Sequence, residues 1–268
     1  MKRTIYLLLI AISLFSCKNS EKEAVVDVVP EKVEENIAVK TYPGNVNRIF
    51  EKHGGMERWN TMNNLCFEFE SRGNVETHTV SLKDRKSLIE SANWSIGYDG
   101  TQVWLNQKEA DAYGGNARFY HNLYFYFYAM PFVLADDGIN YEPVESKTLD
   151  GVKYGGVKIS YGENIGDSPK DEYIVYYNQD TFDMEWLAYT VTYRSNEKSD
   201  RWSYIKYDEW MPVNGIALPK KLVWYAVEDG IPTVPRNEVV FDKVTLTETI
   251  LEDSVFAKPE GATIAERE

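Results

Sequence analysis

Cysteine and histidine are scarce in this 268-residue chain, which contains two cysteines and three histidines. Cys17 and Cys66 cannot supply a disulfide framework, so a domain held together by several disulfides is excluded. The histidines, His53, His78 and His121, include no pair at the i, i+4 spacing of a helical zinc site. The sequence therefore predicts no metal site and no other cofactor.

Signatures of catalysis are missing as well. The sequence has no Gly-x-Ser-x-Gly nucleophile elbow and no glycine-rich loop followed by a lysine for phosphates. Asp136 and Asp137 are adjacent carboxylates, but general acid–base chemistry needs burial or a partner that shifts a pKa, and a solvated loop explains them more simply. We predict that the chain is not an enzyme, with a hydrolase built on some carboxylate pair as the least favoured alternative.

Basic residues are few relative to acidic ones. The chain has 29 lysines and arginines against 42 aspartates and glutamates, which gives a formal net charge of -13. An acidic protein of this kind is repelled by nucleic acid and by anionic lipid headgroups. The charge therefore excludes nucleic acid as a partner, and it excludes attraction of the folded part to a membrane through its charge.

Long hydrophobic runs are limited to one at the N-terminus. Lys2 and Arg3 precede an uncharged apolar run, Ile5 to Phe15. This run is too short for a membrane-spanning helix, which needs about 20 residues, but it fits the apolar region of a signal peptide. Leu14-Phe15-Ser16-Cys17 follows and resembles the lipobox of bacterial lipoproteins. We predict that residues 1–16 are a signal peptide and that Cys17 is the site of lipid attachment.

Residues 17–42 are predicted to be a flexible tether, because they are rich in glutamate, lysine, valine and serine and poor in aromatics. Acyl chains on Cys17 would hold the protein on a membrane by burying methylenes in lipid, at about 0.8 kcal/mol each. The expected location is the cell envelope, at the outer membrane. The membrane face is left open.

The remaining residues, 43–265, have a globular composition and are predicted to form a single β-rich domain. Turn pairs lie between β-branched and aromatic segments and predict tight antiparallel hairpins. The pairs are Asp99-Gly100, Asp150-Gly151, Asn214-Gly215 and Asp229-Gly230. The predicted strands are Leu65–Ser71, Val75–Leu82, Gln102–Asn106, Val152–Tyr161, Glu172–Asn178, Met184–Tyr193, Trp202–Trp210, Ala217–Val227 and Glu238–Thr247.

Helical patterns occur in two places. The first is Asn45 to Lys52, which Gly54-Gly55 follows as a stop and which His53 closes by meeting free carbonyls. The second is Asn116 to Leu134, where aromatic side chains point to nearly every side and where Pro131 is expected to end the helix. A helix that is apolar all round must be covered all round or must line something apolar. The candidates for an apolar cavity are Phe119, Tyr120, Leu123, Tyr124, Phe127 and Phe132.

Short motifs along the domain resemble a known family. They are His53-Gly54-Gly55 with Trp59, Tyr98-Asp99-Gly100 with Trp104, Met130 to Asp136, Asp171 to Tyr177, Gly215 to Pro219 and Phe256 to Pro259. Together they are similar to an uncharacterised family of exported bacterial proteins, whose architecture is like that of the lipoprotein carriers LolA, LolB and RseB. The resemblance implies a mainly β fold (α+β): a strongly curved antiparallel sheet, an open half-barrel, with helices covering its concave face and an apolar cavity between them.

Three functional interpretations follow for a chain of this composition. The favoured one is a binding domain for an acyl chain or another hydrophobic small molecule beneath the aromatic segment, and the competing one is that the same aromatics fill the core of a purely structural envelope lipoprotein. A third is glycan binding at the cell surface through exposed aromatic rings. That interpretation requires an exposed row formed by Trp186, Trp202, Trp210 and Trp224, which lie in or beside predicted strands.

Overall fold

The computed structural model describes residues 40–162 and 166–267. The predicted signal peptide, Cys17 and all but the end of the predicted tether lie outside these described residues. Backbone contacts place residues from Thr41 to Glu268 in one compact unit.

Within the described residues the chain forms 14 strands in two antiparallel sheets of seven strands each. The prediction of a mainly β fold is therefore confirmed. The strands are β1 (Asn64–Ser71), β2 (Asn74–Ser81), β3 (Ser87–Glu90), β4 (Trp94–Tyr98), β5 (Val103–Gln107), β6 (Ile139–Leu149), β7 (Val152–Tyr161), β8 (Tyr173–Asn178), β9 (Met184–Tyr189), β10 (Ser203–Val213), β11 (Ile216–Glu228), β12 (Ile231–Val240), β13 (Asp242–Thr247) and β14 (Thr263–Ile264).

The two sheets have simple, mostly sequential orders. The first sheet runs β13-β1-β2-β3-β4-β5-β14, and the second runs β12-β11-β10-β9-β8-β7-β6. Only Phe241 separates β12, at the edge of the second sheet, from β13, at the edge of the first. Phe241 is fully buried, and its ring lies 4.0 Å from that of Tyr128. The chain therefore passes directly from one sheet into the other at a buried aromatic residue.

Hairpin turns fall where the sequence predicts them. Asp150-Gly151, Asn214-Gly215 and Asp229-Gly230 each join two consecutive strands with positive φ angles at both residues, as type I′ turns require. Asp99-Gly100 also joins two strands, but here the Asp99 side chain accepts bonds from the backbone N–H groups of Thr101 and Gln102. These four hairpin predictions are confirmed.

The strands that were not predicted include two regions at the edges of the second sheet, and prolines explain why these two were missed. β6 contains Pro143, and the first part of β12 contains Pro232 and Pro235. Both strands lie at the ends of the second sheet, where one row of backbone N–H groups needs no partner within the sheet, and there proline is tolerated. The prolines therefore argued against strands that are allowed at the edge of a sheet.

Helices are few and short. α1 (Gly44–Lys52) and α2 (Met56–Thr61) precede the first strand, and α3 (Ala117–Tyr120) and α4 (Leu123–Tyr128) lie between the fifth and sixth, before a 3-10 helix over Phe132–Ala135. The helix predicted over Asn116 to Leu134 is thus wrong as a continuous element. It is interrupted at Asn122, which has φ -124° and ψ 3°, and ends before Pro131. Aromatic and asparagine side chains favour helices weakly, and that allows such breaks.

One large apolar core joins the helices to both sheets. It contains α1 side chains such as Ile49 and Phe50, first-sheet side chains such as Leu65 and Phe67, and second-sheet side chains such as Leu187. In β1 the Leu and Phe side chains are buried, while Cys66 is a half-buried free thiol. A smaller apolar cluster covers the other face of the second sheet around Trp186. The aromatic segment therefore packs in the layer where the two sheets share their core.

Candidate ligand-binding cavities

The aromatic segment begins at a helix cap. The Asn116 side chain accepts a hydrogen bond of 2.8 Å from the backbone N–H of Phe119, and α3 follows. At the other end of the helical part, the buried Tyr207 hydroxyl of β10 donates a 2.6 Å bond to the carbonyl of Phe127. These two anchors fix α3 and α4 across the core, and cavities open around them.

The first cavity, here called the tyrosine cavity, has a volume of about 230 Å³. It lies between the α3–α4 segment and the second sheet. Its walls are formed by Phe119, Leu123, Tyr126, Phe127, Tyr161, Tyr173 and Tyr193, and polar side chains that include Arg118, Asn122, Asp136, Asp137, Asp167 and Asp171 complete it. Its volume is below the roughly 300–1,000 Å³ of pockets for drug-sized ligands, so it suits a slender group such as part of an acyl chain.

Phenol rings dominate one wall of the tyrosine cavity. The hydroxyl groups of Tyr126 and Tyr161 are hydrogen-bonded to each other, and the Tyr173 ring lies 5.5 Å from Tyr126 and 6.0 Å from Tyr161. Burial raises the pKa of all three phenols above the ordinary value of 10.0. This wall is therefore uncharged at any physiological pH.

Charged groups that line the cavity are held by partners. The Arg118 guanidinium binds the Asp167 carboxylate through two bonds of 2.9 Å and 3.0 Å. Asp171 accepts bonds of 2.6 Å and 2.7 Å from the backbone N–H and the hydroxyl of Thr192. Burial raises the pKa of Asp171, although the bonds from Thr192 oppose that rise. Arg85 pairs with Asp136.

A second cavity of about 370 Å³, here called the glutamate cavity, opens between the segment and the first sheet. Its walls include Glu76, Trp94, Tyr113, Tyr120 and Tyr124, with Arg72 among the residues that complete it. Phe119 lines both this cavity and the tyrosine cavity. A third cavity of about 240 Å³ lies near Arg85, Arg118 and His121.

The glutamate cavity contains a buried polar group that the sequence reasoning missed. Glu76 is 4% exposed, and its Oε2 atom accepts a 2.7 Å bond from the Tyr120 hydroxyl and lies 3.4 Å from Nε2 of His78. Both residues alternate with Thr77 on β2 and share the buried face with Val80. That shared face was the available signal, because an acidic side chain that alternates with a histidine and a valine on a buried face needs an explanation.

The six predicted cavity residues separate into three groups. Phe119, Leu123 and Phe127 line the tyrosine cavity, and Tyr120 and Tyr124 line the glutamate cavity with Phe119. Phe132 lies in the core at 1% exposure, stacked on Trp59 at 4.6 Å between ring centroids.

The tryptophans named for glycan binding do not form an exposed row. Trp186 is buried, and Trp202, Trp210 and Trp224 are half-buried. Trp224 donates a 3.1 Å bond to the Tyr189 hydroxyl, and Trp210 packs on the His53 ring at 4.3 Å. These side chains therefore belong to the packing of the second sheet.

His53 behaves as the sequence predicts. It follows the last residue of α1, and its Nδ1 atom lies 2.7 Å from the carbonyl of Ile49, so the ring closes the helix end. Among residues 40–162 and 166–267, no group of three or more His, Cys, Asp or Glu side chains is arranged to hold a metal ion. Over the same residues, no helix is long and apolar enough to cross a bilayer.

These features define a mainly β protein with aromatic cavities on both sides of a short helical segment. The chain belongs to DUF6503, a family of unknown function, which it matches over residues 3–232. The predicted membership of an uncharacterised family is therefore confirmed.

Solved structures with low sequence identity are similar to the chain. One is a DUF1329 family protein from Desulfovibrio piger, with a TM-score of 0.49 and 12% identity over 80% of this chain and 95% of that chain. Another is a LolA superfamily protein from Nitrosomonas europaea, with a TM-score of 0.45 and 12% identity over 78% of this chain and 96% of that chain. No curated protein matches the sequence.

Proposed function

We propose that this chain is a lipid-anchored, non-enzymatic protein of the cell envelope, whose single domain over residues 43–265 binds an acyl chain or another hydrophobic ligand. The observation that carries the proposal is the tyrosine cavity, which remains open between the α3–α4 segment and the second sheet. An aromatic segment that only filled the core would leave no such space beside Leu123 and Phe127.

The chemistry of the cavity supports an apolar ligand. Phe119, Leu123 and Phe127 contribute hydrocarbon surface, and the phenols of Tyr126, Tyr161 and Tyr173 are held neutral by burial. Apolar surface that a ligand removes from water contributes about 25 cal/mol per Å² before the costs of binding are subtracted. The carboxylates beside the cavity are engaged with Arg118 and Thr192, which fits orientation of a ligand better than proton transfer.

The connection between the sheets supports the predicted shape. Because β12 and β13 are separated only by Phe241, the two seven-stranded sheets can be regarded as one bent sheet that turns at this residue. An open half-barrel with the helices on its concave face is the corresponding architecture, and we propose it for this chain.

A ligand test follows from the position of Leu123. Binding of a dansyl-labelled fatty acid to the purified full-length chain is expected to raise the probe's emission and to saturate. Leu123→Trp fills part of the tyrosine cavity and is expected to weaken binding about tenfold or more, the equivalent of about 1.4 kcal/mol. The matched control is Ile174→Trp, since Ile174 follows Tyr173 on β8 but packs in the cluster on the opposite face of the sheet.

The result is interpretable if both variants keep the unfolding midpoint of the parent chain. Equal affinity of the Leu123→Trp variant and the parent would contradict binding in the tyrosine cavity. Saturable binding lost only in the Ile174→Trp variant would move the site to the opposite face of the second sheet and reject the proposal.

Anchoring rests on Cys17, which lies outside the described residues, and it has its own test. In cells that express the full chain, Cys17→Ser is expected to abolish incorporation of a labelled fatty acid into the protein, because the thioether bond to the acyl chains needs the thiol. Mass spectrometry of the parent is expected to find acyl chains on Cys17. Fatty-acid labelling that persists in the Cys17→Ser variant would contradict the lipid anchor while leaving the ligand proposal intact.

A further inference from the structure

The glutamate cavity has three aromatic rings grouped around the phenol of Tyr120. The Tyr120 ring centroid lies 6.4 Å from that of Trp94, 6.0 Å from Tyr113 and 5.6 Å from Tyr124. Neighbouring planes are inclined by 52° to 78°, so the rings are tilted towards one another instead of stacked flat. Tilted rings that line a cavity leave faces available to a ligand cation, which binds within about 6 Å of a ring centroid.

Glu76 adds a buried charge to this group of rings. Its carboxylate interacts with the Tyr120 hydroxyl and the His78 ring, and the surrounding structure leaves it 4% exposed. Burial lowers the pKa of His78 from 6.5, although its contact with Glu76 opposes that change. Burial thus favours the neutral form of His78, and neither it nor the Tyr120 hydroxyl supplies a positive charge to the Glu76 carboxyl. A buried charge of this kind is costly unless a cation accompanies it.

Arg72 gives the same cavity a positive group at its exposed side. It lies in the turn between β1 and β2, is exposed to solvent and lines the cavity with Glu76. Both Glu76 and Arg72 interact electrostatically with phenols of the cavity. Burial is the largest cause of the raised pKa of Tyr124; Glu76 adds to the rise, and Arg72 opposes it. The cavity therefore offers a negative group in its buried part and a positive group at its mouth.

We infer that the glutamate cavity binds a phosphorylated amino alcohol, with its ammonium group among the rings beside Glu76 and its phosphate towards Arg72. A simple anion is disfavoured because it would meet the Glu76 carboxylate, and a simple cation would leave Arg72 without a role. Phosphocholine and phosphoethanolamine carry both charges with the required signs.

The position of Phe119 relates this site to the tyrosine cavity. Because the Phe119 side chain lines both cavities, an amphiphile could place its headgroup in one and its acyl chain in the other. This extension to a zwitterionic lipid rests on the proposed function, whereas binding of a free headgroup does not.

The first experiment uses soluble headgroups and the full-length chain. Calorimetric titration with phosphocholine is expected to show binding that Glu76→Gln weakens at least tenfold. Tyr113→Leu is expected to weaken it by roughly two- to thirty-fold, the range of one cation–π contact, while Tyr113→Phe keeps the ring and the affinity. Arg72→Ala is expected to weaken binding of phosphocholine but not of choline, which has no phosphate.

The second experiment separates a free headgroup from a lipid. Vesicles of dioleoylphosphatidylglycerol are compared with vesicles of equal parts dioleoylphosphatidylglycerol and dioleoylphosphatidylethanolamine, by lipid extraction of the protein after incubation. Selective retention of the ethanolamine lipid, lost in Glu76→Gln, supports a lipid headgroup. Binding of phosphocholine without lipid retention supports a free phosphorylated amino alcohol.

Two results would overturn the inference. One is equal retention of both lipids with no effect of Glu76→Gln or Tyr113→Leu. The other is no binding of phosphocholine, choline or either lipid by a folded chain. Loss of fatty-acid binding in Leu123→Trp with no effect of Glu76→Gln on any of these ligands would reject the headgroup site and leave the proposed function standing.

Discussion

The two halves of the aromatic segment have similar side chains and different surroundings. In residues 116–124, Phe119, Tyr120, Leu123 and Tyr124 are half-buried and line cavities. In residues 125–134 every side chain except that of Tyr126 is buried, and the 3-10 helix packs in the core. One stretch of aromatic sequence thus serves both interpretations considered at the outset, since it borders hollows at its start and fills the core at its end.

The difference follows the surroundings of the chain and not the break at Asn122. Several side chains after the break still line cavities, namely Leu123, Tyr124, Tyr126 and Phe127. From Tyr128 onward the chain lies in the layer between the sheets, and Tyr207 holds the carbonyl of the preceding residue, Phe127. What packs around each ring, and no change in residue type, decides which rings face a cavity.

The largest expected effect concerns residues 125–134, the half of the aromatic segment that fills the core. Phe132→Ala removes a ring that stacks on Trp59 and is 1% exposed, so a loss of about 3–5 kcal/mol in the free energy of unfolding is expected. Phe119→Ala removes the same group from a half-buried cavity wall and should cost about half of that or less. Urea denaturation with unchanged m-values measures both. Equal losses would show that the two halves are packed alike.

Sequence reasoning located the strands well where turn residues dictate geometry. Asp150-Gly151 and Asn214-Gly215 require positive φ angles, and such pairs carry their own structural preference wherever they occur. β6 was missed because Pro143 counts against a strand, and only the position at a sheet edge makes the proline acceptable. Edge position is a property of the whole fold and is not encoded locally.

The sequence predicted that aromatic side chains are concentrated at the candidate site, but it did not predict which cavity each of them lines. The crowding of aromatics between Phe119 and Phe132 was apparent from the sequence. Which cavity each ring lines was not, because the opposing walls come from distant parts of the chain. Glu76 was missed for a related reason. A glutamate in an alternating strand is usually assigned to the solvent face, and its burial depends on rings brought from Trp94 and Tyr120 by distant parts of the chain.

A smaller effect, the dependence of stability on pH, tests the half of the aromatic segment that borders the cavities. His121 lies at the break, with Nδ1 2.5 Å from the carbonyl of Arg118, and burial lowers its pKa from 6.5 although that carbonyl and Asp167 oppose the change. Burial also lowers the pKa values of His53 and His78. Below about pH 6.5 these histidines therefore bind protons in the unfolded chain that they do not bind in the folded chain. Stability should fall as the pH decreases from 6.5 towards the folded-state pKa values, by up to about 1.4 kcal/mol per pH unit for each histidine.

A single substitution isolates the contribution of the histidine at the break to the pH dependence of stability. His121→Asn can keep a donor to the Arg118 carbonyl but cannot be protonated, so the slope of unfolding free energy against pH between 5 and 6.5 should decrease by about one histidine's share. The comparison is His53→Asn, which removes the corresponding group from the core beside Trp210. We expect the slope to change less for His121→Asn than for His53→Asn. His121 is half-buried, and burial disfavours protonation of a partly exposed histidine less than that of a histidine in the core. An unchanged slope in both variants would mean that the folded chain accepts these protons, and the contrast between the two regions would then not extend to their electrostatics.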